Sequence, residues 1–323
     1  MQVTWKKVLA AVAVVLLIGY LISMWWSIEP DPIEQTVYSQ ENGQQVVGYA
    51  TTTSLILTVE TLLDKSGGWL SNDVTPPSIF MDNMPAFEFG AIEQARDLAL
   101  IMRKEFSRSQ SQSTADKDLL AAHSKLNIEH TSWLVPSAES EYRDAIKLLK
   151  LYRARMMATE NADAQFYARA DNLNEWLKEV QKRLGSMSQR LSASVGQERL
   201  NTDLSGDSSA RQSTPGFGVQ EIKTSWWKID DVFYETRGAT WALLNFMKAI
   251  EVDFADVLQK KNAQVSLRQI IRELEETQQP VWSPMILNGS GFGVVANHSL
   301  VMANYISRAN AAVIDLTNLL TQG

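Results

Sequence analysis

Ala138-Glu139-Ser140-Glu141-Tyr142-Arg143-Asp144-Ala145-Ile146, opening behind Ser137, and Leu173-Asn174-Glu175-Trp176-Leu177-Lys178-Glu179-Val180 belong to the longest helical pattern in the chain, from Ala138 to about Ser194. Tyr142, Ile146, Leu149 and Met156 mark an apolar stripe in its first part. Phe166, Leu173, Trp176, Leu177, Val180, Leu184, Met187 and Leu191 mark one in its second. Spacings of three and four residues put such side chains on one face of an α-helix. Glu139 with Arg143 and Glu179 with Arg183 stand in the favourable acidic-first i,i+4 order. A break near Asn161-Ala162-Asp163 divides the stretch into two long antiparallel helices, which suits a helical bundle.

The same periodicity extends outward on both sides. Leu55, Val59, Leu62 and Leu63 predict a helix over 51–65 that Ser66-Gly67-Gly68 stops. Ile92, Ala95, Ala99, Met102 and Phe106 predict another over 88–107. Ser113, with Asp116 three residues on, reads as the N-cap of a third that carries Leu119, Leu120, His123, Leu126 and Ile128 toward His130. Asp230 or Asp231 opens a later helix through Phe233, Trp241, Leu244, Met247 and Phe254 to about Lys261, with more helix to Thr277 and a last one over 297–320. Strand-like alternation is confined to a weak stretch at 45–49. The fold class is all-α.

At the N-terminus, Lys6 and Lys7 precede an uncharged run of 19 residues, Val8 to Trp26. As a helix it would span roughly 28 Å, close to the hydrocarbon thickness of a bilayer. Trp5 at one end and Tyr20, Trp25 and Trp26 near the other suit interfacial aromatic belts, and the lysines before the run predict a cytoplasmic N-terminus. A cleaved signal peptide would have a shorter core followed by small residues, whereas Ser23-Met24-Trp25-Trp26-Ser27 is bulky. The expectation is a single-pass anchor in a bacterial inner membrane with the body in the periplasm. The expected organisation is a short tail (1–7), the anchor (8–26), a stalk (27–50) containing Glu29-Pro30-Asp31-Pro32, a helical domain (51–194), a flexible linker (195–225) rich in Ser, Gly, Asp and Gln, and a C-terminal helical region (226–323) packed on the first.

Composition narrows the chemistry. The chain has 323 residues, 45% of them apolar, no cysteine, three histidines and a net charge of −7. Without cysteine there are no disulfides, thiolate nucleophiles or cysteine-held metals, and an exported domain has no stray thiols to oxidise. All acidic residues and all but two basic ones follow the apolar run, so the charge beyond it is −9. That balance argues against nucleic-acid binding and against adhesion to anionic lipid by charge alone. No cofactor is expected.

Few constellations point to a reaction. His123 and His130 lie two turns apart, about 10 Å, too far to share one metal ion without a third element. The glycine-rich stretch Asn288 to Gly293 leads into the last helix, where Asn297 and His298 form a polar or anion-binding candidate, though the lysine of a phosphate loop is missing and an N-cap role for Asn297 explains the pattern. Ser290 stands outside any nucleophile-elbow pattern. Glu88, between Phe87 and Phe89, is the carboxylate most open to desolvation. Two surfaces could meet a partner: Trp226 with Trp227, and the small stripe Ser299, Ala303, Ser307, Ala311 on the last helix. Phe89-Gly90, Phe217-Gly218 and Phe292-Gly293 read as three uses of one device, an aromatic anchor followed by a hinge.

The anchor, with Trp133-Leu134-Val135-Pro136-Ser137, Arg169-Ala170-Asp171-Asn172-Leu173 and the stretch from Asn288 through Leu300, resembles a family of uncharacterised gammaproteobacterial proteins known only as a domain of unknown function. The resemblance covers nearly the whole chain. It implies a single-pass inner-membrane protein and carries no catalytic residues. The function expected is non-enzymatic binding or scaffolding of cell-envelope components, with an envelope protein or a second copy as partner. The alternative is a peptidoglycan-active enzyme of the carboxylate acid/base type.

Overall fold

A computed structural model describes residues 5–34, 46–109, 114–158, 163–200, 219–283 and 285–322. The helices are α1 (Trp5–Trp26), α2 (Tyr49–Asp64), α3 (Asn83–Ile101), α4 (Lys117–Leu126), α5 (Ala138–Met157), α6 (Ala170–Ser192), α7 (Ile229–Asp253), α8 (Ala255–Lys260), α9 (Gln264–Glu276) and α10 (His298–Thr321). The all-α expectation holds, with one addition. The ends of the segment read as a linker pair as a short antiparallel ribbon, Gln197–Leu200 against Val219–Ile222. Its Ser- and Gly-rich middle, including Phe217-Gly218, lies outside the described residues, as does Ser113. Asp116 is the N-cap of α4, its carboxylate accepting from the Asp118 and Leu119 amides.

The helix directions follow from cross-links between them. α7 is the central element. α3 lies parallel to it, with Phe87 near the start of α3 against Trp241 in the middle of α7, and Phe106 against Phe254 just beyond the ends of both. α2 runs antiparallel to α7, so that Asp253 at the end of α7 accepts from the Thr51 amide and hydroxyl and caps the start of α2. α9 is antiparallel as well, through Arg268–Glu251 at one end and Thr277–Thr240 at the other. α5 runs against α2 (Arg143–Asp64, Arg153–Thr53), α6 against α3 (Asn172–Glu105, Arg183–Asp97), and α10 against α6 and α9.

The two long helices of the 138–194 stretch are therefore antiparallel but not neighbours. α5 packs on α2 and α4, whereas α6 packs on α10. One apolar core joins helices from both sides of residue 195.

These directions sort the connections. The links at 65–82, 127–137, 193–228 and 277–297 all emerge at the end where α7 begins, called the proximal end below. The links at 107–116, 158–169 and 254–263 emerge at the other.

The tightest packing in the core is between α3 and α7. A Cβ on Gly90 would overlap the Glu235 carbonyl, and a Cβ on Gly238 would overlap that of Phe87. Gly90 is thus a contact glycine inside a helix, which corrects its reading as a hinge. Backbone cannot yield as a flexible side chain would, so Gly90→Ala and Gly238→Ala are each expected to cost at least about 3 kcal/mol, the upper part of the overpacking range. Gly185, on α6, has only Asn310 Nδ2 at 4.0 Å. Gly185→Ala is expected to stabilise by up to about 1 kcal/mol through helix propensity. Thermal or denaturant unfolding of the three variants distinguishes a close helix crossing from ordinary packing.

Candidate functional site

None of the residues of α1 is buried, and its apolar length would suffice to cross a bilayer. Its last residue behaves differently from the rest. Trp26 is half-buried against the bundle core, and its ring lies where a Cβ on Gly67 would come within 2.7 Å. The chain then runs along α7 rather than standing free as a stalk. Glu29 Oε2 accepts from Arg237 Nε at 2.6 Å, the Asp31 carbonyl accepts from Trp241 Nε1 at 3.2 Å, and the Ile33 amide donates to Asn245 Oδ1 at 2.9 Å.

Geometry explains the match. Pro30 and Pro32 favour an extended, polyproline-like path, so alternate residues advance about 6.2 Å. Positions four apart on a helix advance about 6 Å. Glu29, Asp31 and Ile33 thus meet Arg237, Trp241 and Asn245 in register. Farther along, Ile33 packs with Ala50, Ala249 and Val252.

Arg237 is the centre of this junction, with its side chain 6% exposed. Besides Glu29, its Nη1 donates to the Thr277 and Gln279 carbonyls at 2.9 Å each and its Nη2 to the Gln278 carbonyl at 3.1 Å. These carbonyls belong to the turn that follows α9, where a cation also complements the helix dipole. One guanidinium therefore binds three segments: the strap after α1, α7 and the end of α9. Beside it, Phe233, Val281, Trp282, His298 and Tyr305 help to line a cavity of about 230 Å³.

The residues singled out from sequence fall as follows. Trp5, Lys6, Lys7, Tyr20 and Trp25 are exposed on α1, and only Trp26 touches the body. Trp226 and Trp227 form an exposed turn just before α7, their rings 4.8 Å apart and edge-on. In the small stripe of α10, Ser299 and Ala303 are buried while Ser307 and Ala311 are exposed. The Ser307 hydroxyl lies 2.7 Å from that of Ser188 on α6. As a partner-docking stripe the four positions need correction, because Ser299 and Ala303 are buried in the chain's own fold and α6 already lies along that helix.

Asn297 is the N-cap of α10, accepting from the Leu300 amide while its Nδ2 donates to Asn288 Oδ1 and the Gly289 carbonyl. Its side-chain polar atoms are engaged within the loop and the first turn of α10. His298 Nδ1 accepts from the Leu287 amide at 3.2 Å. His130 stacks on Phe89 and pairs with Glu129. Among the described residues no group of three metal-ligating side chains comes together. Glu88 is desolvated, and burial pushes its carboxyl up despite the adjacent Lys65 ammonium at 2.7 Å. It also accepts from the Leu70 and Ser71 amides and the Ser71 hydroxyl, so its role is to hold the loop after α2.

The family model that matches spans residues 1–323 and is described as an uncharacterised protein conserved in bacteria. The chain belongs to the DUF2333 family. The resemblance seen in the sequence thus holds over the whole chain, with membership described as bacterial rather than confined to one group of bacteria. No curated protein and no solved structure matches this DUF2333 chain. The strap junction was missed by sequence reading. Its signal was the line Arg237, Trp241, Asn245, hydrogen-bonding groups at four-residue intervals in α7.

Two outcomes check this site. Removing Arg237 leaves a partly buried carboxylate and three carbonyls without their partner, so Arg237→Leu is expected to lower the unfolding free energy by about 3–5 kcal/mol. A loss below about 1 kcal/mol in denaturant unfolding would contradict the central role of Arg237. His298 has its pKa held below 6.5 by burial, so the neutral ring is favoured in the folded state. Its contribution is complete above pH 6.5 and is lost as pH falls through the depressed value, because a protonated Nδ1 cannot accept. Exchange of the Leu287 amide, corrected for intrinsic rate, should accelerate as pH falls through that depressed value, and His298→Phe should remove the dependence.

Proposed function

We propose that this DUF2333 protein is an uncleaved, membrane-anchored helical module of the bacterial envelope, with α1 across the inner membrane, its N-terminus in the cytoplasm and the bundle in the periplasm. The observation that carries the reading is the junction. Trp26 and Glu29 are packing and hydrogen-bonding parts of the folded body, a role that a removed leader would not fill. The bulky Ser23–Ser27 segment and the two lysines before the run support the same reading.

The module acts by binding or scaffolding other envelope components, as a partner of another protein or of a second copy, and not by catalysis. The engagement of three buried or half-buried carboxylates supports this. Glu88 is paired with Lys65, Asp97 with Arg183, and Asp253 with the start of α2.

Membranes from cells making the native chain test the anchor. After alkaline washing, the protein should remain in the membrane and its intact mass should include residues 1–26. A soluble chain beginning after Trp26 would overturn the reading. Purification in mild detergent is expected to yield a stoichiometric companion or a homo-oligomer. Wall cleavage in a zymogram, abolished by a single Glu→Gln change, would replace scaffolding with the carboxylate enzyme.

A further inference from the structure

Large exposed apolar residues are not spread evenly over the bundle. Outside α1, the exposed aromatic ones among the described residues are Phe80, Trp133, Trp226, Trp227, Trp282 and Phe292. They come from four different connections, at 65–82, 127–137, 193–228 and 277–297. All four emerge at the proximal end, where Trp26 brings α1 onto the body. Some are as exposed as a side chain can be: Trp282 is 95% exposed and Phe292 105%. Val135 and Val294 extend two of the same tips. Among the described residues, the other end and the flanks expose large apolar side chains that are aliphatic or thioether rather than aromatic, such as Val265 and Leu151.

Four loops do not converge on aromatic tips at one end by the demands of packing, since these side chains take no part in the core. Water is a poor environment for them, and exposed apolar clusters of this kind mark a surface that is covered in use. Tryptophan in particular favours the bilayer interface, where its ring is buried and its N–H stays hydrated. The occupant is indicated by α1. A helix that leaves this end and enters a bilayer brings the bilayer surface to this end. The strap from Glu29 to Ile33, bonded along α7, leaves little slack for the body to stand away.

We infer that the proximal end of the bundle is a membrane-docking face, and that the tips at Phe80, Trp133, Trp226-Trp227, Trp282 and Phe292 insert into the interfacial layer of the same bilayer that α1 spans. The inference rests on the anchor reading of α1. Insertion is apolar in origin. Lys228 beside the paired tryptophans is offset by Asp230 and Asp231, and the body as a whole is acidic. The face therefore does not depend on anionic lipid, in contrast to polybasic docking. The scaffold is thereby held upright and close to the membrane, with the ends of α5 and α7 turned away from it.

The absence of cysteine makes the test direct, because each introduced thiol is the only one in the chain. The full chain carrying Val135→Cys, Trp282→Cys or Phe292→Cys is spin-labelled and reconstituted in phosphatidylcholine vesicles. Val265→Cys and Leu151→Cys serve as bundle controls and Leu16→Cys as the anchor control. The expected result is a ratio of oxygen to nickel-chelate accessibility several-fold higher at 135, 282 and 292 than at 265 and 151, unchanged when phosphatidylglycerol is added. A label at 16 within the bilayer, together with labels at 282 and 292 as open to the chelate as that at 265, would overturn the docking face alone and leave the tips for a protein partner. A label at 16 open to the chelate would overturn the anchor reading and the docking face with it.

Discussion

Burying a guanidinium requires that its five N–H groups and its charge all find partners, because each unmet donor in a low-dielectric setting costs about 1–3 kcal/mol. Arg237 places four of the five, on Glu29 on one side and on the carbonyls of Thr277, Gln278 and Gln279 on the other, and Glu29 supplies the counter-charge. The condition is strict in both directions. α9 ends where the carbonyls of the turn after it can reach the guanidinium, and the chain leaving α1 must bring a carboxylate to the same point. A lysine would carry the charge without the planar fork that reaches several acceptors at once. The path of the strap, the end of α9 and the origin of the loop that follows are thus set by one side chain.

The same device recurs elsewhere in the bundle. Arg96 on α3 donates to the Leu126 and Ile128 carbonyls at the end of α4, and Arg155 on α5 binds Asp116 and Asp118 at its start. α4 is only ten residues long and would be marginal alone, so the arginines of its neighbours hold both ends. Lys65 and Glu88 fix the loop after α2 in the same manner. At the proximal end the result is a set of connections tied down at their bases by polar contacts while their apolar tips stay outside. Tied bases and free tips suit a surface that meets another phase, since the tips can be presented without the core being disturbed.

Most of the architecture was legible in the sequence because helical periodicity reports burial on one face, and the stripes through Tyr142, Leu173 and Leu191 are all in the core. Neighbours were less legible. α5 and α6 adjoin in sequence and run antiparallel, yet each packs on a different partner, a choice made by the shapes of faces that periodicity does not encode. Gly90 and Gly238 look like flexible positions until the backbone of the other helix is seen beside each. The small stripe on α10 was read as a surface for a partner helix, whereas α6 of the same chain packs along α10. The strap was misread for a different reason: proline announces an extended path, and an extended path looks the same whether it stands in solvent or lies along a helix. The aromatic tips were partly visible, in Trp226-Trp227, while the convergence of four loops on one end is a property of topology alone.

The central claim is that the segment after α1 is clamped to α7, so that the anchor and the bundle move as one body. Exchange of the Ile33 amide in the full chain, reconstituted in a bilayer disc and followed residue by residue, tests it most directly. Its hydrogen bond to Asn245 Oδ1 predicts protection approaching that of the interior of α7, orders of magnitude slower than an unstructured peptide, and loss of that protection in Asn245→Ala. Exchange of Ile33 at the rate of a free coil in the native chain would contradict the account, leaving α1 on a loose tether.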